Sequence, residues 1–74
     1  MDRTELRAIL DEEAILPDAY SLEGGLPEDR LCIDEEYGQW AVYYVERGQR
    51  RQERRFATED EACRHLLELL KAAK

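Results

Sequence analysis

The chain has a single histidine, two cysteines and no apolar run approaching the roughly twenty residues that cross a bilayer. Each shortage removes a class of function. The opening Met1-Asp2-Arg3-Thr4-Glu5 lacks the basic-then-apolar order of a secretory signal, so the cytoplasm is the expected compartment and no membrane contact is expected. Cys32 and Cys63 stand too far apart in sequence for a metal-ligand or redox spacing, and free, partly buried thiols are the expectation. His65 lies beside Arg64 on the expected exposed side of the last helix. No nucleophile has a base near it in sequence, and Ser21 stands alone. Gly24-Gly25 lacks the lysine and hydroxyl of a phosphate loop and does not follow a strand. Asp34, Glu35 and Glu36 are adjacent carboxylates without the spaced ligands of a calcium loop, and they read as a turn of solvated acids. The sequence thus predicts a protein that is not an enzyme, with no cofactor and no metal.

What is present is charge, unevenly spread. Residues 1 to 36 hold twelve acids and three bases, while residues 37 to 74 hold six acids and eight bases, for a net charge of −7. The acidic half repels nucleic acid and anionic membrane and attracts a basic partner; the plainer reading is a solvated surface that maintains solubility. Seventy-four residues make one domain, 1–74, near the lower size at which a chain folds without metal or disulfides. Its apolar residues fall in periodic runs, which argues for a folded domain despite 39% charged residues.

Thr4 is placed to cap a short amphipathic helix through about Glu13, with Leu6, Ile9 and Leu10 at helical spacing. Pro17, Gly24, Gly25 and Pro27 mark Leu16 to Asp29 as a long loop, anchored to the core by Tyr20 and Leu22. A loop of that length in so small a domain is often functional. Leu31 and Ile33 flank Cys32 in a first strand that closes at a polar turn, Asp34 to Gly38. A second strand spans Gln39 to Glu46, Gly48-Gln49 suits a tight turn, and a third strand runs from about Arg51 to Phe56. Thr58-Glu59-Asp60-Glu61 is a capping box for a last helix with a wide stripe from Ala62 to Ala73, closed by Lys71 and Lys74. The expected fold is α+β, in the order α-β-β-β-α, with a three-stranded antiparallel meander packed against two helices. A turn at Gly48-Gln49 puts Ala41, Tyr43 and Val45 on the face of Phe56, and Trp40, Val42 and Tyr44 on the other. One face then leaves a large aromatic outside the helix-packed core unless the long loop folds over it.

Recognition chemistry concentrates between Gln39 and Phe56, where Trp40, Tyr43 and Tyr44 run into Glu46-Arg47-Gly48 and return through Arg50, Arg51, Arg54 and Arg55. Aromatic and arginine side chains are what protein interfaces favour at their energetic centres, although the same aromatics also suit the core. Together with the Tyr20-to-Asp29 loop they make a binding surface the leading reading. The α-β-β-β-α order is also that of double-stranded-RNA-binding domains, which use lysines at the start of the last helix. The acids of Thr58 to Glu61 disfavour nucleic acid at that position, and with Glu46 and Glu53 interleaved the arginines read as cross-strand ion pairs. A homodimer through an open sheet face or strand edge is a further alternative.

Tyr20-Ser21-Leu22-Glu23-Gly24-Gly25-Leu26-Pro27, then Trp40-Ala41-Val42-Tyr43-Tyr44-Val45-Glu46-Arg47-Gly48, then Phe56 with Glu59 to Cys63, resembles small bacterial immunity proteins of polymorphic toxin systems. The resemblance covers roughly residues 20 to 67. It implies a protein that binds the toxic domain of a cognate effector and blocks its active site or substrate entry, without catalysis of its own. A toxin that acts on nucleic acid has a basic cleft, which the carboxylates of Asp18, Glu23, Glu28, Asp29, Asp34, Glu35 and Glu36 are suited to occupy in place of phosphates. The expected partner-binding residues are accordingly Tyr20, Glu23, Glu28, Asp29, Asp34, Glu35, Glu36, Trp40, Tyr44 and Arg47.

Overall fold

The computed structural model describes residues 1–73, so Lys74 and its expected place at the end of the last helix lie outside the described residues. Helix α1 (Arg3–Glu12) begins one residue before Thr4, because Asp2 is extended and its carboxylate accepts from the Glu5 N–H at 2.9 Å. An aspartate at this position satisfies an otherwise unpaired first-turn donor and complements the helix dipole. Leu6 and Leu10 point inward and are fully buried. A 3-10 turn, Pro17–Ala19, then delivers the chain to a two-residue strand, β1 (Tyr20–Ser21).

Three longer strands follow, β2 (Arg30–Glu36), β3 (Gln39–Glu46) and β4 (Gln49–Phe56), and then helix α2 (Glu59–Ala72). The class is α+β as expected, with four strands in place of three. The sheet order is β1-β2-β3-β4; β1 is parallel to β2 and the rest form an antiparallel meander. The segment read as continuous loop therefore contains a strand, too short to leave a periodic signal. Asp34, Glu35 and Glu36 are strand residues paired with Ala41, Trp40 and Gln39, not turn residues.

Both hairpin turns have two central residues, Tyr37-Gly38 and Arg47-Gly48, within the repeated frames Glu-Tyr-Gly-Gln and Glu-Arg-Gly-Gln. Their φ angles of 53° and 76°, and of 54° and 74°, are those of the primed turns whose twist matches a hairpin. The second turn thus sits one residue earlier than expected, and β4 begins at Gln49. That displacement alone preserves the expected face parity. A bulge opposite Tyr43, where Gln52 takes a φ of 55°, reverses it, and Phe56 lies directly across from Trp40 instead of Ala41.

The two helices pack on one face of the sheet. Leu6, Leu10, Ile15, Tyr20, Leu22, Ile33, Val42, Ala62, Cys63, Leu66 and Leu70 form that core, with Trp40 and Phe56 at its margin. Thr58 caps α2 as expected, its hydroxyl accepting from the Glu61 N–H at 3.2 Å and donating to the Glu61 carboxylate at 3.0 Å. His65 is not on a solvated face: it is half-buried with its ring 5.2 Å from that of Phe56, and burial, then Arg54, hold its pKa below the ordinary value. Both cysteines are free and buried, one on each side of the sheet, and burial raises each thiol to about 11. Among the described residues no helix is long and apolar enough to cross a membrane.

Candidate interaction surface

The face of the sheet turned away from the helices carries Cys32, Ala41, Tyr43 and Val45, all buried in a second apolar cluster. Among the described residues no helical side chain joins this cluster. Leu22 turns into the helix-side core, residues 24–29 cross the outer face, and the loop is fastened along its length. Arg3 donates to the Leu22 carbonyl at 3.0 Å, and Ser21 Oγ donates to the Gly24 carbonyl at 3.0 Å. The Tyr43 hydroxyl donates to the Gly25 carbonyl at 3.0 Å. At the far end the Asp29 N–H donates to the Val45 carbonyl at 2.9 Å, and the Glu28 carboxylate accepts from the Arg47 N–H. Tyr44 donates from its hydroxyl to Asp29 at 3.3 Å. Burial and the nearby Asp29 carboxylate raise the Tyr44 pKa, while burial pushes Tyr43 up to about 12, so both phenols remain hydrogen-bond donors at neutral pH.

Gly24 is the point of closest approach. It adopts a φ of 72°, and a Cβ there would lie 2.8 Å from the Asp34 Cβ and closer still to its carboxyl group. Only glycine lets the backbone settle onto Asp34 in this conformation. The rest of the outer face is closed by charge. Arg50 stacks over the Tyr43 ring at 4.0 Å and holds Glu36 in a two-pronged ion pair, one prong at 2.7 Å. Arg50 and Arg55 each reach Glu53 at 3.0 Å, and Arg55 also reaches Glu36 at 3.3 Å. The Arg50 guanidinium holds both the Glu36 and the Glu53 carboxyls below the usual range.

These contacts sort the expected site residues. Glu23, Glu28 and Asp29 are exposed on the loop, and Tyr44 and the exposed Arg47 join Asp29 and Glu28 at its end of the sheet. Glu35 is exposed but lies across from Trp40 at the opposite end of β3, beside the β2–β3 turn. Trp40 is half-buried on the helix side, with the Arg3 guanidinium 4.9 Å above its ring. Asp34 sits beneath Gly24, Glu36 belongs to the Arg50 network, and Tyr20 is only 6% exposed within the main core. These last three are structural contacts, because the loop and the bulged strand bring internal partners to them.

Leu16, Leu26, Tyr37 and Leu69 are exposed apolar residues outside the expected set, and two of them stand on the loop or a hairpin turn of the sheet. Leu26 is 55% exposed at the crest of the loop, between Gly25 and Pro27, and Tyr37 is 96% exposed at the tip of the β2–β3 turn. A leucine enclosed by turn-forming residues was the available signal for the first. The second had none, since its turn was read as wider than it is. The surface therefore presents an apolar crest at Leu26, carboxylates at Glu23, Glu28 and Asp29, and a cation at Arg47, all on a braced backbone. Compared with protein-family models, curated proteins and solved structures, the chain matches none of them.

Proposed function

We propose that this chain is an inhibitory binding protein, an immunity protein that captures a toxin domain through the braced loop of residues 22–29. The observation that carries the reading is the fastening of that loop. Hydrogen bonds to β1, β3, α1 and the β3–β4 turn fix it while Leu26 stays outside at 55% exposure. A loop fixed in advance loses little conformational entropy on binding, which is how a surface of this size reaches tight affinity. Leu26 provides an apolar anchor, and Glu23, Glu28 and Asp29 around it favour a basic cleft and speed encounter with it. Such a cleft belongs to a protein that acts on nucleic acid, and inhibition follows from occupying it. The protein then acts in the cytoplasm of the cell that also makes the toxin.

Two other readings receive less support. The helix-free face is closed by the loop and by the Arg50–Glu36–Glu53–Arg55 network, which disfavours a homodimer formed through that face. The start of α2 is acidic at Glu59, Asp60 and Glu61, where an RNA-binding domain of this element order needs cations. The deciding experiment is co-expression of the full chain with the toxin domain encoded beside its gene, scored by cell survival and by size-exclusion chromatography. A stable 1:1 complex with restored growth supports the proposal. Growth arrest despite both proteins being soluble and separate overturns it. Reversal of Glu23, Glu28 and Asp29 to lysine slows association most strongly at low salt; an unchanged on-rate removes the electrostatic part of the argument.

A further inference from the structure

The two hairpin turns are built alike and carry unlike tips. Type I′ turns require positive φ at both central positions, and the first is ordinarily filled by Asn, Asp or Gly. Here the first positions hold Tyr37 at 53° and Arg47 at 54°, both side chains in the left-handed region that larger L-residues avoid. Neither repays that cost within the molecule through its side chain. Tyr37 is 96% exposed. Arg47 is exposed, and its one hydrogen bond, to Glu28, is made by the backbone N–H, which asparagine or glycine would supply equally well. Among the described residues its guanidinium has no ion pair, whereas Arg50 and Arg55 are engaged by Glu36 and Glu53, and Arg51 lies 3.7 Å from Glu46.

We propose that Arg47 is a recognition residue that pairs with a carboxylate on the partner, beside the basic cleft that receives the loop. The proposal rests on the toxin-binding reading and makes its footprint two-signed. Arg47 stands against Glu28 at the end of the loop, so one docking event brings the acids and this single cation to the partner together. A guanidinium at a fixed turn gives a carboxylate a planar, two-donor partner. A polyanion is the wrong occupant, because Glu28 and Asp29 are alongside and Glu46 precedes it in the chain. The two-signed arrangement adds specificity: a merely basic protein satisfies the loop and fails at Arg47.

The charge arithmetic makes the test sharp. The chain carries a net charge of −7, so removing a cation from it strengthens its general attraction to a basic partner. If Arg47 is a bystander, Arg47→Asn and Arg47→Glu bind the toxin domain as tightly as the parent chain or tighter. If it meets a carboxylate, Arg47→Asn lowers affinity by roughly tenfold and Arg47→Glu by more, against the trend in net charge. Both are measured by isothermal titration of the full chain with the purified toxin domain.

Stability separates a contact effect from a folding effect. Relief of the left-handed conformation raises the melting temperature of Arg47→Asn by about 3 °C, so weaker binding coincides with a more stable protein. Tyr37→Asn, in the matching turn at the other end of the sheet, gains similar stability and keeps parent affinity. Parent affinity in both arginine variants overturns the inference while leaving the toxin-binding reading intact. Loss of affinity only in parallel with loss of folding overturns it as well. Binding of a 20-nucleotide RNA probe that Arg47→Asn abolishes would assign Arg47 to phosphate and overturn the carboxylate assignment. A parent chain that binds no toxin domain overturns both readings together.

Discussion

Gly24→Ala tests whether the loop is seated on the sheet as described. At a φ of 72° an alanine costs about 1–2 kcal/mol in backbone strain alone. Its Cβ also meets the Cβ of Asp34 at 2.8 Å and the carboxyl group more closely, so the loop must lift or β2 must shift. Lifting breaks the Ser21–Gly24 and Tyr43–Gly25 hydrogen bonds, each worth about 1 kcal/mol. The expected total is about 3–4 kcal/mol, or roughly 15–25 °C in melting temperature for a domain of this size. Gly25→Ala is the control. Its φ of 83° carries a similar backbone cost, but its new Cβ meets only the Pro27 Cδ at 3.7 Å, an ordinary contact. That variant loses about 1–2 kcal/mol. Urea unfolding followed by Trp40 fluorescence and by circular dichroism gives both numbers. A double-mutant cycle with Asp34→Gly, which removes the opposing Cβ and carboxyl, returns about 1 kcal/mol or more of coupling. Equal losses in the two alanine variants, or strict additivity in the cycle, would refute the contact.

Tyr43→Phe keeps the ring under Arg50 and deletes only the bond to the Gly25 carbonyl, so it costs about 1 kcal/mol and quickens amide exchange in residues 22–29 far more than in α2. Uniform acceleration through both segments would deny the loop its separate attachment. For Glu36, the Arg50 guanidinium holds the folded-state carboxyl below its ordinary value of 4.5. The unfolded chain therefore takes up protons first as pH falls; the stabilisation is complete above about pH 5 and is lost as pH descends through the folded-state value. Glu36→Gln should flatten the acid limb of the stability profile measured by urea midpoints from pH 7 to pH 3, and an unchanged limb would remove Glu36 from that account.

Elements with several turns of pattern were legible in the sequence, and those decided by a single residue were not. Helix α2 was readable because the capping box and a wide apolar stripe agree, and β3 because six apolar residues run together between Gln39 and Glu46. The expected cap of α1 lies two residues late, since Asp2 and Thr4 both have capping side chains and only backbone geometry separates them. β1 is two residues long and gains its pairing from β2 alone, so no local pattern announces it. The face occupied by Phe56 turned on one bulge at Gln52, a residue with no sequence mark for positive φ. The same limit applies to the candidate site. Glu23, Glu28, Asp29, Tyr44 and Arg47 were recognisable as loop acids and hairpin-end residues. Tyr20, Asp34 and Glu36 share their chemistry but find partners inside the fold, and those partners are distant in sequence.

The bulge has a further consequence for the protein at high concentration. β4 is an edge strand along all eight of its residues, a natural template for adding strands from other copies. Gln52 interrupts the regular spacing of main-chain donors and acceptors midway along that margin, and four arginines crowd the remainder. A second copy approaching in register meets a broken ladder and like charge. The irregularity that moves Phe56 to the helix side thereby also guards the chain against fibril growth, without enclosing the sheet in a barrel.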